Sequence, residues 1–470
     1  MLQKSANVVL ITIVVALGGL LFGYDTAVIS GATEALQVYF QLTPAALGFA
    51  AASALLGCVI GALISGTLST RFGRRGALFI AAILFFISGV GTAIPTHYWT
   101  FVFYRIVGGV GVGLASMVSP MYIAEIAPPK KRGALVACNQ FAIIFGMLVV
   151  YFVNYGIALM GDEQWLFQTG WRFMFGSEAL PAGLFFILLF LVPETPRWLA
   201  MRHRDDEGFA LVKALNGVDS APQQWQEIKQ SLAGTDQSAK ITGKFTVVLF
   251  IGVMVSIFQQ ITGINVILYY APAIFKSFTT AGTDVALLQT ILVGVVNLSF
   301  TTVAIFTVDR FGRKPLMMIG SFLMAIAMLV IGTAAYLQMI SGFLIVFMLI
   351  YIAAFAISLG PVVWVLLSEM FPNKIRSKAL AIAVFAQWLS NFAVSQTFPM
   401  MNAQDSWIFQ AFHGGFPFWL YGAMGILCTL FVYKYLPETK GKSLEELEGY
   451  WNHFLGSHEE EVHDELHPVK

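Results

Sequence analysis

Twelve separate apolar runs constrain this chain more than any other feature, near residues 7–31, 44–69, 77–95, 99–124, 134–159, 174–193, 245–275, 284–308, 315–338, 341–370, 378–402 and 414–436. A helix rises about 1.5 Å per residue, so runs of roughly 17 to 25 residues match the ~30 Å hydrocarbon core of a bilayer. Every backbone N–H and C=O must be satisfied there within the protein, which leaves helices as the way for such runs to cross. Of the 470 residues 57% are hydrophobic and only 11% charged, against about 25% charged in a soluble domain. The expected fold class is an all-α membrane protein with twelve transmembrane helices.

The basic residues orient it. With the N-terminus cytoplasmic, Arg172 and Lys276 fall outside and Arg105 within a span, so 27 − 3 = 24 of the Lys and Arg residues lie inside. The positive-inside rule thus predicts a multi-pass protein of the cell (inner) membrane with both termini cytoplasmic; an inverted topology would break it. Cys58, Cys138 and Cys428 all sit in apolar spans, so no disulfide framework is implied. Residues 1–31 are too long an apolar stretch for a secretory leader, lack a small-residue cleavage site and contain Asp25, and read as a retained first span.

Two halves are visible. Arg71-Phe72-Gly73-Arg74-Arg75 recurs as Arg310-Phe311-Gly312-Arg313-Lys314 (310 − 71 = 239), Glu125 to Arg132 recurs as Glu369 to Arg376 (369 − 125 = 244), and Pro193-Glu194-Thr195 as Pro437-Glu438-Thr439 (437 − 193 = 244). Three matches in one order argue for duplicated six-helix halves. The expected organisation is a six-helix bundle over 1–193, a cytoplasmic linker with short helices over 194–243, a second bundle over 244–437 and a cytoplasmic tail over 438–470. A capping-box-like Ser443 with Glu446 opens the tail, and its His458, His463 and His467 match no metal-ligand spacing.

Residues 258–272, Phe-Gln-Gln-Ile-Thr-Gly-Ile-Asn-Val-Ile-Leu-Tyr-Tyr-Ala-Pro, place Gln259, Gln260, Asn265, Tyr269 and Tyr270 inside an apolar run. An amide in hydrocarbon without a partner costs several kcal/mol, so these groups face protein, water or a polar ligand. Carboxamides beside aromatic faces suit a sugar ring, offering donor and acceptor to neighbouring hydroxyls. The alternative is that they join helix to helix.

Asp25 and Arg105 are charges within spans that topology does not explain. Span 1 runs outward and span 4 inward, so each lies six positions from the outer end, roughly 9 Å deep, and the two can meet. An ion pair would make protonation of Asp25 depend on where Arg105 points, as a proton carrier requires; the alternative is a permanent pair that fixes packing. On the inner side, Arg71, Arg74, Arg75, Arg310 and Arg313, with Glu125, Arg132, Glu194, Arg197, Asp309, Glu369, Arg376 and Glu438, supply charges for ion pairs between the halves that would hold that face shut. They would otherwise only set topology.

These motifs resemble the major facilitator superfamily and its sugar porter family: Asp309-Arg310-Phe311-Gly312-Arg313-Lys314, Arg105 with Gly108, Gly109, Gly111 and Gly113, Pro193-Glu194-Thr195-Pro196-Arg197-Trp198, and Pro437-Glu438-Thr439-Lys440-Gly441-Lys442. Gly18-Gly19-Leu-Leu-Phe22-Gly23-Tyr24-Asp25-Thr26 is similar to bacterial D-xylose/proton symporters. The resemblance implies a major facilitator fold, an Asp and an Arg for proton coupling at Asp25 and Arg105, and, joined to the polar-residue argument, a sugar site of Phe22, Gln140, Met147, Gln259, Gln260, Asn265, Tyr269, Gly360, Trp364, Gln387, Trp388 and Asn391. Two positions depart from the pattern. Thr70 replaces the usual Asp of the first loop motif, implying a weaker or differently paired closure network, and Met147 stands where xylose porters tend to have glutamine. Gly263 and Gly360-Pro361 are expected to break spans 7 and 10.

No catalytic constellation is found: the glycine a phosphate loop would need before Gly441-Lys442-Ser443 is Leu436, and no strand precedes the span 4 glycines, which suit close helix packing. The sequence therefore predicts a proton-coupled importer of an aldose, D-xylose before D-glucose, working by alternating access as a monomer in lipid, without cofactor, metal or nucleic acid. A facilitative uniporter, or a polyol such as myo-inositol as substrate, are the alternatives; a sugar sensor would carry a longer tail.

Overall fold

A computed structural model describes residues 7–128, 132–233, 244–278, 282–339, 342–371 and 375–440. Among the described residues, eleven helical stretches are long and apolar enough to cross a membrane, and one of them, Pro44–Ala93, has 50 residues. At about 1.5 Å per residue that is more than twice a bilayer core. Gly73 interrupts it with φ +87 and ψ 166, dividing it into spans 2 (44–72) and 3 (74–93), so eleven stretches hold twelve spans. The others are span 1 (Val8–Gly31), 4 (Tyr98–Ile126), 5 (Gly133–Ala158), 6 (Glu163–Leu191), 7 (Phe245–Ser277), 8 (Thr283–Val308), 9 (Arg313–Tyr336), 10 (Phe343–Leu367), 11 (Lys378–Asn402) and 12 (Phe416–Tyr435).

Small residues set the packing of the first six spans. A Cβ on Gly109 would strike the Ala54 carbonyl, one on Gly113 that of Cys58, and ones on Gly57 and Gly61 those of Ile106 and Val110, so spans 2 and 4 touch backbone to backbone. Span 1 is held likewise against span 5, where Gly23 meets Ile143 and Gly146 meets Leu20. Large apolar side chains such as Ile13, Leu63, Phe103, Phe306 and Leu430 point outward and are exposed, as a multi-pass membrane protein requires.

Two spans are broken, and the breaks position the site. Gly263, at φ +96, separates Lys244–Ile261 from Ile264–Phe278 within span 7. In span 10 the break lies at Ser358 (φ −124, ψ −98), two residues earlier than Gly360. Pro361 explains the offset: its ring excludes the carbonyl four residues back, so the helix has to end before it and restart at Leu359. Between the halves run short helices Pro196–Met201, Asp205–Asn216 and Ala221–Ala233, with Val212, Ala221 and Trp225 as a small core. Ser443, Glu446 and the three tail histidines lie outside the described residues, as do the side chains of Arg132, Asp309 and Arg376.

Candidate functional site

The amides of span 7 converge with those of spans 10 and 11. Gln259 donates to the carbonyls of Leu359 (2.8 Å) and Gly360 (3.1 Å), tying it to the restart of span 10. Its own oxygen accepts from Gln387 (2.7 Å) and Gln260 (3.3 Å), and Asn265 donates to Gln260 (2.5 Å). Gln259 thus joins span 7 to spans 10 and 11 in this conformation. Capacity remains on span 11, where Gln387 Oε1 and Trp388 Nε1, an acceptor and a donor on successive residues, are buried without a partner. A buried polar atom is stable only when something pairs with it, and a sugar hydroxyl, donor and acceptor at once, suits both.

Around this pair the remaining residues sort themselves. Phe22 of span 1 reaches across to Trp388, ring centroids 5.7 Å apart, so an aromatic pair bridges the two halves. Tyr269 interacts with the Asn391 side chain, which also accepts from Ser395 (3.1 Å). Tyr270 instead donates to the Ser395 carbonyl (2.9 Å), a helix-joining role. Gln140 and Trp364 are half-buried, and Met147 is buried on span 5, two turns beyond Gln140 on the same face.

Asp25 and Arg105 meet as their depths predict. The Arg105 guanidinium lies 2.5 Å from Asp25 Oδ1 and donates to the Asp25 carbonyl at 3.0 Å, with Phe175 stacked 5.5 Å from the cation. Both side chains are at most 1% exposed. A third charged residue, Glu178, sits beside them, fully buried, within electrostatic reach of both and with neither carboxylate oxygen paired. Sequence reasoning passed over it although it falls within the apolar run 174–193; the argument that singled out Asp25 applies to it equally. The neighbouring Tyr24 and Ser177 hydroxyls are bonded at 2.7 Å, fastening span 1 to span 6 at this level.

The family model described as "Sugar (and other) transporter" matches residues 11–451. The chain belongs to this sugar transporter family. It is 55% identical to the D-xylose-proton symporter of Escherichia coli K12, over 95% of this chain and 96% of that protein. It is 40% identical to the arabinose-proton symporter of Bacillus subtilis, over 94% and 95% of the two chains, and 40% identical to the glucose facilitated diffusion protein of Zymomonas mobilis, over 94% and 97%. Among solved structures, the inward open xylose transporter XylE of E. coli superposes with a TM-score of 0.85 at 53% identity, covering 95% of this chain and 100% of that one. XylE bound to 6-bromo-6-deoxy-D-glucose gives 0.80 at 54% identity, with the same coverage. The protein is accordingly a membrane transporter, not an enzyme.

The charges flanking Gly73 and Gly312 in this sugar transporter pair within each half. Arg74 pairs with Glu125 (2.9 Å) and Arg313 with Glu369 (2.7 Å), each within one half. Glu194 accepts from the backbone N–H of Arg74 and Arg75, both at 3.0 Å, and Glu438 from those of Arg313 (2.9 Å) and Lys314 (3.0 Å). Among the described residues these ion pairs join parts of one half. The reason is local: Gly73 and Gly312 share φ near +90, turning the next two N–H groups toward a carboxylate of their own bundle. Burial lifts the Glu194 carboxyl above its ordinary range, opposed by the N–H groups of Thr195, Arg75 and Arg74 and by the Arg74 charge. Arg75 donates to the Leu189 carbonyl (3.0 Å), Arg71 and Arg310 stand exposed over Phe72 and Phe311, and Arg197 is half-buried. The Thr70 hydroxyl donates to the Gly66 carbonyl of its own helix (2.8 Å), and its carbonyl accepts from Trp198 Nε1 (2.9 Å), a different pairing from that of an acid.

Contacts between halves are found toward the end of the bundle opposite Gly73 and Gly312. Gln396 donates to the Ala45 carbonyl (2.8 Å), Tyr151 to that of Leu268 (3.1 Å), and Lys276 pairs with Glu34 (2.6 Å).

Proposed function

We propose that the protein imports an aldose, D-xylose first and D-glucose second, together with a proton by alternating access. The observation that carries this reading is the buried Asp25–Arg105 pair, with Glu178 beside it, in a chain 55% identical to a D-xylose-proton symporter. One arginine between two buried carboxyls leaves a net negative charge that a single proton removes, and charge of this kind is costly away from water. Ionised Asp25 holds Arg105 in their 2.5 Å pair; protonated Asp25 releases it.

The sugar binds between Phe22 and the span 11 pair, with Gln387 Oε1 accepting from one hydroxyl and Trp388 Nε1 donating to another. Gln140, Trp364 and Asn391 offer further hydrogen bonds, Tyr269 closes the outer side, and Met147 gives the pocket an apolar wall where a glutamine would bind. Gln259, Gln260, Asn265 and the Gly360 carbonyl act from behind, fixing the breaks of spans 7 and 10. Similarity to the inward open transporter and the outer-side contacts between halves support an inward-facing state.

In this reading both termini and the linker are cytoplasmic, the bundles divide at 193 and 244, lipid surrounds a functional monomer, and Arg71, Arg74, Arg75, Glu125, Arg132, Glu194, Arg197, Asp309, Arg310, Arg313, Glu369, Arg376 and Glu438 brace each bundle for gating. Similarity to a facilitated diffusion protein makes uniport the second reading. Uptake of labelled xylose, glucose and myo-inositol into vesicles, with and without an inward proton gradient, decides between them. Xylose accumulation that needs the gradient is expected; equal uptake without it means uniport, and uptake of inositol alone would overturn the aldose assignment.

A further inference from the structure

Prolines inside two spans free backbone carbonyls that buried tyrosines of other spans take up. Proline has no N–H, so the carbonyl four residues before it loses its helical partner. At membrane depth that carbonyl has to be paired within the protein. Pro399 stands inside span 11, and the carbonyl it frees, that of Ser395, accepts from Tyr270 of span 7 at 2.9 Å. Pro272 stands inside Ile264–Phe278, the second part of span 7, and the carbonyl it frees, that of Leu268, accepts from Tyr151 of span 5 at 3.1 Å. The first bond joins two spans of one half; the second joins the halves. Tyr151 is 1% exposed, and its ring also lies on span 8, where a Cβ on Gly294 would stand 2.9 Å from it and from Leu148. Tyr269, the residue after Leu268, interacts with Asn391 of the sugar site.

We propose that Tyr151 is a positioning residue for transport: its bond to the carbonyl freed by Pro272 latches the second part of span 7 to the first half, holds Tyr269 over the sugar, and breaks when the outer side opens. The proposal rests on the alternating-access reading. The Leu268 carbonyl suits a latch because its own helix offers it no N–H to fall back on. Tyr151 is its partner while the halves are closed, and water entering from outside replaces Tyr151 when they part. The exchange is worth about one hydrogen bond, small enough to be broken and remade in every cycle. The break at Gly263, with φ +96, lets the second part of span 7 move without the first. The Tyr270–Ser395 bond has the same chemistry but stays inside one half, so it holds span 7 to span 11 in either state.

The test uses the full chain in proteoliposomes, with a cysteine placed at the outer end of span 7 and a membrane-impermeant thiol reagent outside. Tyr151→Phe is expected to speed labelling about fivefold, the worth of one hydrogen bond. Pro272→Ala, which returns an N–H to the Leu268 carbonyl, is expected to speed it in the same direction, and adding Tyr151→Phe to Pro272→Ala then changes labelling less than twofold. Tyr270→Phe is expected to lower the melting temperature while leaving labelling within about twofold of wild type. Labelling unchanged in Tyr151→Phe, or Tyr151→Phe and Pro272→Ala multiplying as independent changes, would overturn the latch. An equal rise in Tyr270→Phe would reduce Tyr151 to general packing and overturn it too. Wild-type labelling that saturating xylose leaves untouched would instead remove alternating access, the parent reading, and the latch with it.

Discussion

Single residues in this transporter were legible where their chemistry clashed with their surroundings. Asp25 and Arg105 stand out because a charge in an apolar run needs a partner, and equal depth from opposite helix directions points each to the other. Glu178 obeys the same logic but lies a few residues from the start of the apolar run 174–193, where a charge draws less notice, although the folded span begins at Glu163. Gln259 illustrates the opposite limit: sequence identifies a buried amide without telling whether its four hydrogen-bonding positions go to helices or to a ligand, and here they go to helices. Trp388 kept its donor free. Trp388→Phe is therefore expected to raise the half-saturation concentration for xylose about two- to tenfold, the worth of one neutral hydrogen bond, with maximal rate and melting temperature little changed. Unaltered concentration dependence would remove Trp388 Nε1 from the sugar site.

Elements were legible in number but less so in their interruptions. Apolar length fixed twelve helices, and a glycine flanked by arginines marked where two of them join at Gly73. The break of span 7 fell at Gly263 as read, whereas that of span 10 fell at Ser358, because proline acts on the turn before it. Gly263 carries φ +96, and a Cβ there would meet the Tyr421 ring at 2.7 Å. Gly263→Ala is expected to destabilise the protein by at least ~1–2 kcal/mol, the cost of a left-handed conformation for an L residue, and to slow counterflow, read by thermal unfolding in detergent and by exchange rate. A variant as stable and as fast as wild type would mean that span 7 does not need this break.

At the scale of the whole molecule, repeats announced two bundles but not how they meet. The pairing of Arg74 with Glu125 and Arg313 with Glu369 braces each bundle separately, a distinction invisible when all these residues lie on one side of the membrane. Between the halves, Lys276 joins Glu34 at 2.6 Å and lies 3.8 Å from Glu163. Lys276→Gln should favour outward-facing molecules two- to fivefold, equivalent to the ~0.5–1 kcal/mol of a partly exposed ion pair, read as faster labelling of a cysteine placed at the outer end of span 7. No change in labelling would mean that the pair does not bias the two states.

Coupling itself is tested most directly by Asp25→Asn, assayed for xylose accumulation against a gradient and for counterflow in the same vesicles. The account predicts that accumulation disappears while counterflow persists, since the amide keeps the shape of the carboxyl but carries no exchangeable charge. Accumulation undiminished in Asp25→Asn would contradict the claim that this buried acid carries the proton.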